Sequence, residues 1–333
     1  MEDKIDFVVP WVNDRDKKWL QKKNEYYYHE TGIKKDADLN QNSRYRDYAT
    51  FKFWFRAVER YAPWVHKIVL ITDHQVPEWL NVNNSKIKIV FHEDYIDSEC
   101  LPTFSSNVIE TSLQRIPELA EHFVLFNDDM FLNRPVKPDY FFKDGVPKDA
   151  LILRPLYPAS AFDKIIFNDV SVVNKHFAKR KAQKDLLGKL FSPLNGKYLF
   201  YNFQNYLNPK FSGFFDPHQP IAYTKDNFRD VWNIEPELLN RTMSHRFRND
   251  NDVNDWVFRY YRLVKGEFIS QNPKLGKYYE LDQVQDIVKD ITEKQHYTIC
   301  VNDSDAIDNI DSYIKVLIDS FSKTFPNKSE FEF

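Results

Sequence analysis

Glycine is scarce, with 7 in 333 residues. No G-x-G-x-x-G and no G-x-x-x-x-G-K-[ST] run occurs, so phosphates are not cradled in the two commonest glycine-rich ways. A nucleotide site here has to rely on side chains, helix N-termini and metal. Cysteine is nearly absent as well. Cys100 and Cys300 supply neither a disulfide framework nor a zinc-ligand set, a usage that fits a reducing compartment. No apolar run approaches the roughly 18 residues of a membrane span. The opening MEDKID has no basic or apolar region of the signal-peptide kind. The expected location is therefore cytoplasmic, with the inner face of the cell membrane left open. Positive charge is not in excess either. Against 49 Asp and Glu stand 46 Lys and Arg, a net charge of −3, so nucleic acid is not an expected partner.

What is present is a globular composition rich in aromatic residues, with 42% hydrophobic and 29% charged residues, enough to bury a core in one large domain or two. The stretch His122 to Arg134 organises the reading. Four apolar residues, Phe123 to Phe126, suit a strand buried on both faces. They end in Asn127-Asp128-Asp129, where adjacent carboxylates repel each other and gain nothing from burial. A hard divalent cation removes that cost. A sheet strand delivering Asp128 and Asp129 to a metal-diphosphate site is one reading, and an Asx-type turn is the other.

Similar runs recur along the chain. Ile5 to Val12 reads as a first strand with Asp6 near its start, followed by a polar turn and a helix from Lys17 to Tyr28. A helix opens at Arg44-Tyr45-Arg46-Asp47, with Phe51, Trp54, Phe55 and Val58 at helical spacing, and ends at Pro63. His66 to Asp73 and Lys86 to Asp94 are further strands ending in polar clusters, the pattern of a βαβ sheet. His74 and His92 read as loop histidines. Asn107 and Glu110 have capping-box spacing, and Leu151 to Leu153 reads as one more strand. From Asn174 to Asn205 the chain is basic and amphipathic. Such a stretch rests on anionic lipid, holds an anionic acceptor, or packs as a solvated helix on the core. In Phe211 to Pro220, two prolines flank His218 and fix its direction. Arg248 either clamps a phosphate or pairs with nearby aspartates. Near the end, Tyr297 to Asp303 repeats the apolar run ending in Asn-Asp, before a final helix with Ile314, Leu317, Ile318 and Phe321 on one face.

Motifs of this type, in this order, resemble the Stealth family of sugar-phosphate transferases. Ile5-Asp6 with Trp11-Val12-Asn13 is similar to the family's first block. Arg44 to Asp47, Arg56, Tyr61 to Val65, Thr72 to Asn81, Leu101 to Ser106 and Asn127-Asp128-Asp129 resemble the second. His218-Gln219-Pro220, with Arg248 and Asp252, resembles the third, and Cys300-Val301-Asn302-Asp303 the fourth. Two departures stand out: Asp14 replaces the usual glycine, and the region after Leu151 diverges.

The resemblance implies an α/β, Rossmann-like and glycosyltransferase GT-A-like fold, with a mostly parallel sheet flanked by helices and a mostly helical second half. The expected division is a nucleotide-sugar-binding core over 1–155, a helical acceptor region over 156–265, and a segment over 266–333 returning to the core. The implied reaction moves a hexose- or N-acetylhexosamine-1-phosphate from a nucleotide diphosphate sugar to a glycan or lipid-linked oligosaccharide hydroxyl, releasing the nucleoside monophosphate. On this reading His218 is the general base, and Arg44 and Arg248 hold phosphoryl oxygens. Asp128, Asp129, Asn302 and Asp303 hold Mg²⁺ or Mn²⁺. Asp6, Trp11, Asn13, Arg46, Asp47, Asn127 and Asp252 contact substrate. The segment 175–197 is the candidate for peripheral membrane contact, and oligomerisation stays open. The rivals are a metal-dependent glycosyltransferase that releases the nucleoside diphosphate, and a non-catalytic glycan-binding protein.

Overall fold

Apolar runs buried on both faces belong inside a covered sheet, and the runs that begin at Ile5, Ile68 and His122 lie there. The structure, a computed structural model, describes residues 4–33, 40, 45–303 and 310–333. In chain order the first elements are β1 (Ile5–Pro10), α1 (Lys17–Thr31), α2 (Phe51–Tyr61), β2 (Ile68–Thr72), β3 (Ile87–Phe91), α3 (Ser106–Thr111), β4 (His122–Leu125) and β5 (Met130–Leu132). Next come β6 (Phe142–Lys143), β7 (Val146–Asp149), α4 (Ala161–His176), α5 (Lys179–Asp185), α6 (Leu187–Leu190), α7 (Leu199–Tyr206), β8 (Ile221–Thr224), α8 (Lys225–Ile234), α9 (Pro236–Met243) and α10 (Trp256–Lys265). The chain continues through β9 (Ile269–Ser270), β10 (Gly276–Glu280), α11 (Val284–Glu293), β11 (Thr298–Asn302) and α12 (Ile310–Thr324).

The main sheet has the order β3-β2-β1-β4-β8. β1 pairs in parallel with β2 and with β4, and β2 pairs in parallel with β3. β8 alone runs antiparallel, against β4. Side-chain alternation divides the core. Phe7, Val9, Leu70 and Val124 pack against Trp54 and Phe55 of α2 and Phe321 of α12. Val8, Val69, Phe123 and Leu125 pack on the other side with Val108, Phe228 and Phe258 from α3, α8 and α10. The fold is thus α/β with a mostly parallel sheet, and its second half, α4 to α10, is mostly helical. A second sheet, β10-β11-β5, brings β11 back antiparallel to β5, with Cys300 opposite Met130.

Four local expectations change. The helix expected from Arg44 begins only at Phe51. Asp47 accepts the Ala49 amide at 3.2 Å, and Ala49 has φ 59°, so this stretch is an Asx-type turn. Arg44 itself lies outside the described residues. Asn107 and Glu110 do not cap α3, whose N-cap is Ser105; Asn107 donates instead to Asp252 at 2.9 Å. Leu151 to Leu153 is no strand, and only Leu153 bridges, to Phe214. The Asn202 amide takes the Leu151 carbonyl and the Leu153 N–H, which a ladder would otherwise use. The basic stretch is broken into α5, α6, a 3₁₀ turn over Pro193–Tyr198 and α7, with Gly196 at φ 53° inside the break. No helix among the described residues is long and apolar enough to cross a membrane.

Candidate active site

Parallel strands present their C-terminal ends along one edge, and a cleft of about 250 Å³ opens there. The ends of β1, β2 and β4 contribute Trp11, Asp73 and Asn127-Asp128-Asp129. Trp11 stacks on Phe51, ring centroids 5.5 Å apart, and so forms a fixed wall. Arg46 and Asp47 enter from the loop before α2, and Asn302 and Asp303 from the end of β11. Arg46 Nη1 donates to Asp303 Oδ2 at 2.7 Å. The acidic floor is electrostatically uneasy. Burial pushes the Asp128 carboxyl well above the usual carboxylate range, and the charges of Asp129 and Asp47 push it further.

His218 hangs over this floor. Its backbone is left-handed, at φ 49°. Its ring stands edge-on to Tyr278 at 5.5 Å and to Trp256 at 6.3 Å between centroids. The preceding Asp216 is held by Arg259 Nη1 at 2.5 Å and by the Tyr260 hydroxyl at 2.5 Å. On the other side, Gln219 donates to the His218 carbonyl at 2.9 Å and accepts from Thr298 Oγ1 at 2.6 Å. β10 comes so close that a Cβ on Gly276 would lie 2.4 Å from Gln219 Oε1 and 2.5 Å from Thr298 Oγ1.

Arg248 forms the opposite wall. Its Nη2 and Nε donate to Ser106 Oγ at 2.7 and 3.2 Å. Glu110 and Asp255 lie deeper. Burial raises both carboxyls, and the Asp255 charge raises Glu110 further. His92 lines the cleft too, with burial pushing its imidazole pKa down.

Residues 44–149 match the family model described as Stealth protein CR2, conserved region 2. The chain is 42% identical over 332 residues to the capsular polysaccharide phosphotransferase WcwK of Streptococcus pneumoniae, covering 99% of this chain and 98% of that one. It belongs to the Stealth family. This Stealth chain is also 41% identical to the exopolysaccharide phosphotransferase cps2G of Lactiplantibacillus plantarum, covering 98% of this chain and 96% of that one. The crystal structure of the galactosyltransferase LgtC with donor and acceptor sugar analogues is a slight likeness, at TM-score 0.43 and 7% identity over 98% of each chain.

In this Stealth chain the motif residues separate into two groups. Trp11, Arg46, Asp47, Asn127, Asp128, Asp129, His218, Arg248, Asn302 and Asp303 all line the cleft. Asp6 does not. It sits fully buried at the opposite, N-terminal end of β1, bonded to His66 Nδ1 at 2.7 Å and to the Ala120 amide at 2.8 Å. There it joins β1 to the loops before β2 and β4, away from the cleft. Asn13 exchanges backbone bonds with the Gln75 amide, both at 2.9 Å, and fixes the turn after β1. Asp252 is fully buried and ties together His245, Asn107 and the Asn249 amide. That closes the loop carrying Arg248.

The sequence reading gives no site role to two cleft residues, Glu110 and Asp255, or to Cys300, which is buried beside Asp129. Glu110 has the spacing of a capping box with Asn107, and nothing in the local pattern singles out Asp255. Cys300 did have a signal: on β11, Thr298, Cys300 and Asn302 share one face. Cys300 Sγ lies 3.4 Å from Asp129 Oδ2. Asp129, His218 and Cys300 bring ligand atoms within 4.8 Å of one another. With a thiol and an imidazole, that trio is softer than Mg²⁺ prefers. Asp128, Asp129, Asn302 and Asp303 line the cleft as well, and their oxygens are of the harder type that Mg²⁺ and Mn²⁺ prefer.

Proposed function

We propose that this chain transfers a hexose- or N-acetylhexosamine-1-phosphate from a nucleotide diphosphate sugar, of the UDP type, to a hydroxyl of a glycan or lipid-linked acceptor. The product is a phosphodiester in a cell-surface polysaccharide, and the nucleotide leaves as the monophosphate. The relatives' names support phosphotransfer in capsular and exopolysaccharide synthesis. The single observation behind the mechanism is that His218, Arg248, Arg46 and the Asp128-Asp129 pair, from distant segments, line one cleft.

The acceptor oxygen attacks the sugar-bearing phosphorus, and the bond from that phosphorus to the bridging oxygen breaks. The anomeric C–O bond stays intact. His218 takes the acceptor proton, a task suited to an imidazole. Arg248, fixed by Ser106, and Arg46, fixed by Asp303, hold phosphoryl oxygens in place before reaction. By resemblance Arg44 joins them. Asp128 and Asp129, with Asn302 and Asp303, would hold Mg²⁺ or Mn²⁺, which offsets charge on the diphosphate when bound. Trp11 and Asn127 shape the donor end of the cleft.

The test is to incubate the protein with nucleotide sugars, a short acceptor and Mg²⁺, and to identify the nucleotide released. The monophosphate is expected. Release of the diphosphate would mean that the glycosidic bond is cut, as in a glycosyltransferase.

A further inference from the structure

Helix α7 is inverted relative to a helix in water. Its inward face is amide. Asn202 and Asn205 are buried; Asn202 donates to the Leu151 and Leu190 carbonyls at 2.9 and 2.6 Å, and Asn205 donates to the Leu153 carbonyl at 3.2 Å. Its outward face is apolar. Phe200, Phe203 and Leu207 are 63%, 66% and 82% exposed, and their spacing puts them on one arc of the helix. Leu187 and Leu194, 43% and 48% exposed, lie on the preceding turns.

The charges in this region are sorted. Over residues 179–210 the one acid is Asp185. Lys179 and Lys189 fold inward onto backbone carbonyls. Arg180, Lys181, Lys184, Lys197 and Lys210 are exposed. An exposed apolar ridge rimmed by polar groups marks an interaction surface. Lysine is depleted in the cores of protein–protein interfaces, whereas lysines around an apolar ridge complement anionic headgroups.

We propose that the α5 to α7 face docks on an anionic lipid surface. Phe200, Phe203 and Leu207 enter the boundary between headgroups and acyl chains, and the five exposed bases lie against the headgroups. The face is not isolated from the cleft. Tyr198, at the head of α7, packs on Phe215 with ring centroids 4.7 Å apart, and Phe215 precedes the Asp216-Pro217-His218 turn. Resting on the function proposed above, this puts the histidine one packing contact from the bilayer that would carry a lipid-linked acceptor.

Vesicle flotation of the full chain tests docking without any turnover measurement, so it fails or succeeds independently of the proposed reaction. The chain is expected to float with phosphatidylglycerol-containing vesicles and to stay behind with pure phosphatidylcholine. The double variant Phe200→Ser/Phe203→Ser should lose binding by at least about tenfold. Lys181→Glu/Lys184→Glu should abolish the preference for anionic vesicles. All four side chains are exposed, so thermal unfolding by circular dichroism should match the parent. The proposal is overturned if the parent does not bind, if it binds both vesicle types equally, or if the phenylalanine variant binds as well as the parent. It is overturned too if gel filtration shows a dimer that this variant turns into a monomer, which would make the face a contact between copies.

Discussion

Asp216 accepts from Arg259 Nη1 at 2.5 Å, two residues ahead of His218. The same guanidinium grips Asp149 through Nη2 and Nε, at 2.8 and 2.9 Å, and Arg262 Nη2 reaches Asp149 at 2.5 Å. Two buried cations on α10 thus neutralise two acids, one on β7 and one beside the histidine. A buried pair of this kind adds little net stability over apolar packing, but losing one partner is costly.

Arg259→Ala would leave Asp216 buried without its cation. We expect a loss of about 3–5 kcal/mol in urea unfolding. Asp216→Asn keeps the shape and one acceptor while removing the ion pair. Its expected signature is a lower kcat with an unchanged Kd for the nucleotide sugar, since Asp216 positions His218 and does not touch substrate.

His218→Ala should reduce turnover by about 10²–10⁴-fold. Calorimetric titration with the nucleotide sugar should show binding close to the parent's. Normal turnover in that variant would remove His218 from the role of base.

Asp128→Asn and Asp129→Asn should each weaken Mn²⁺ binding, measured by paramagnetic relaxation of water protons. Each would remove one oxygen ligand from the proposed metal site. A variant with parental Mn²⁺ affinity would show that its carboxylate is not a ligand.

Asp169 on α4 is fully buried, and burial pushes its carboxyl well above the ordinary value of 3.8. Over the interval between those values the folded chain keeps a proton that the unfolded chain has released. Stability is therefore full below the unfolded value and falls as pH rises through the folded one. Urea midpoints at about pH 5 and about pH 8 should differ less in Asp169→Asn than in the parent.

Cys300 should resist alkylation. It is fully buried, and burial together with Asp129 holds its thiol protonated. Mass spectrometry after iodoacetamide at neutral pH should find label on Cys300 only once the chain is unfolded.

The parallel sheet was legible because β1, β2 and β4 announce themselves as unbroken apolar runs between polar ends, a signal local to each strand. Asn127-Asp128-Asp129 and Asn302-Asp303 were legible for the same reason, since strand ends are where such sheets place chemistry. Asp6 reads correctly as lying near the start of its strand, the end that parallel strands turn away from the cleft; its expected contact with substrate came from the resemblance and not from that position. Asp252 reads as a site residue in sequence, but its bonds to Asn107, far back in the chain, and to nearby His245 appear only in three dimensions. The inverted α7 was illegible as well. Periodicity detects that one face differs from the other, and only the partners of Asn202 and Asn205 reveal which face is inside.

The bare Cα of Gly276 works as a spacer gauge. A single methyl group there would displace the amide that steadies the histidine turn, since it would come within 2.4 Å of Gln219. In a saturation library read for polysaccharide assembly, position 276 would favour glycine, because Gln219 and Thr298 would have to give way to any side chain there. Any redesign of the histidine side of the cleft would start from that clearance.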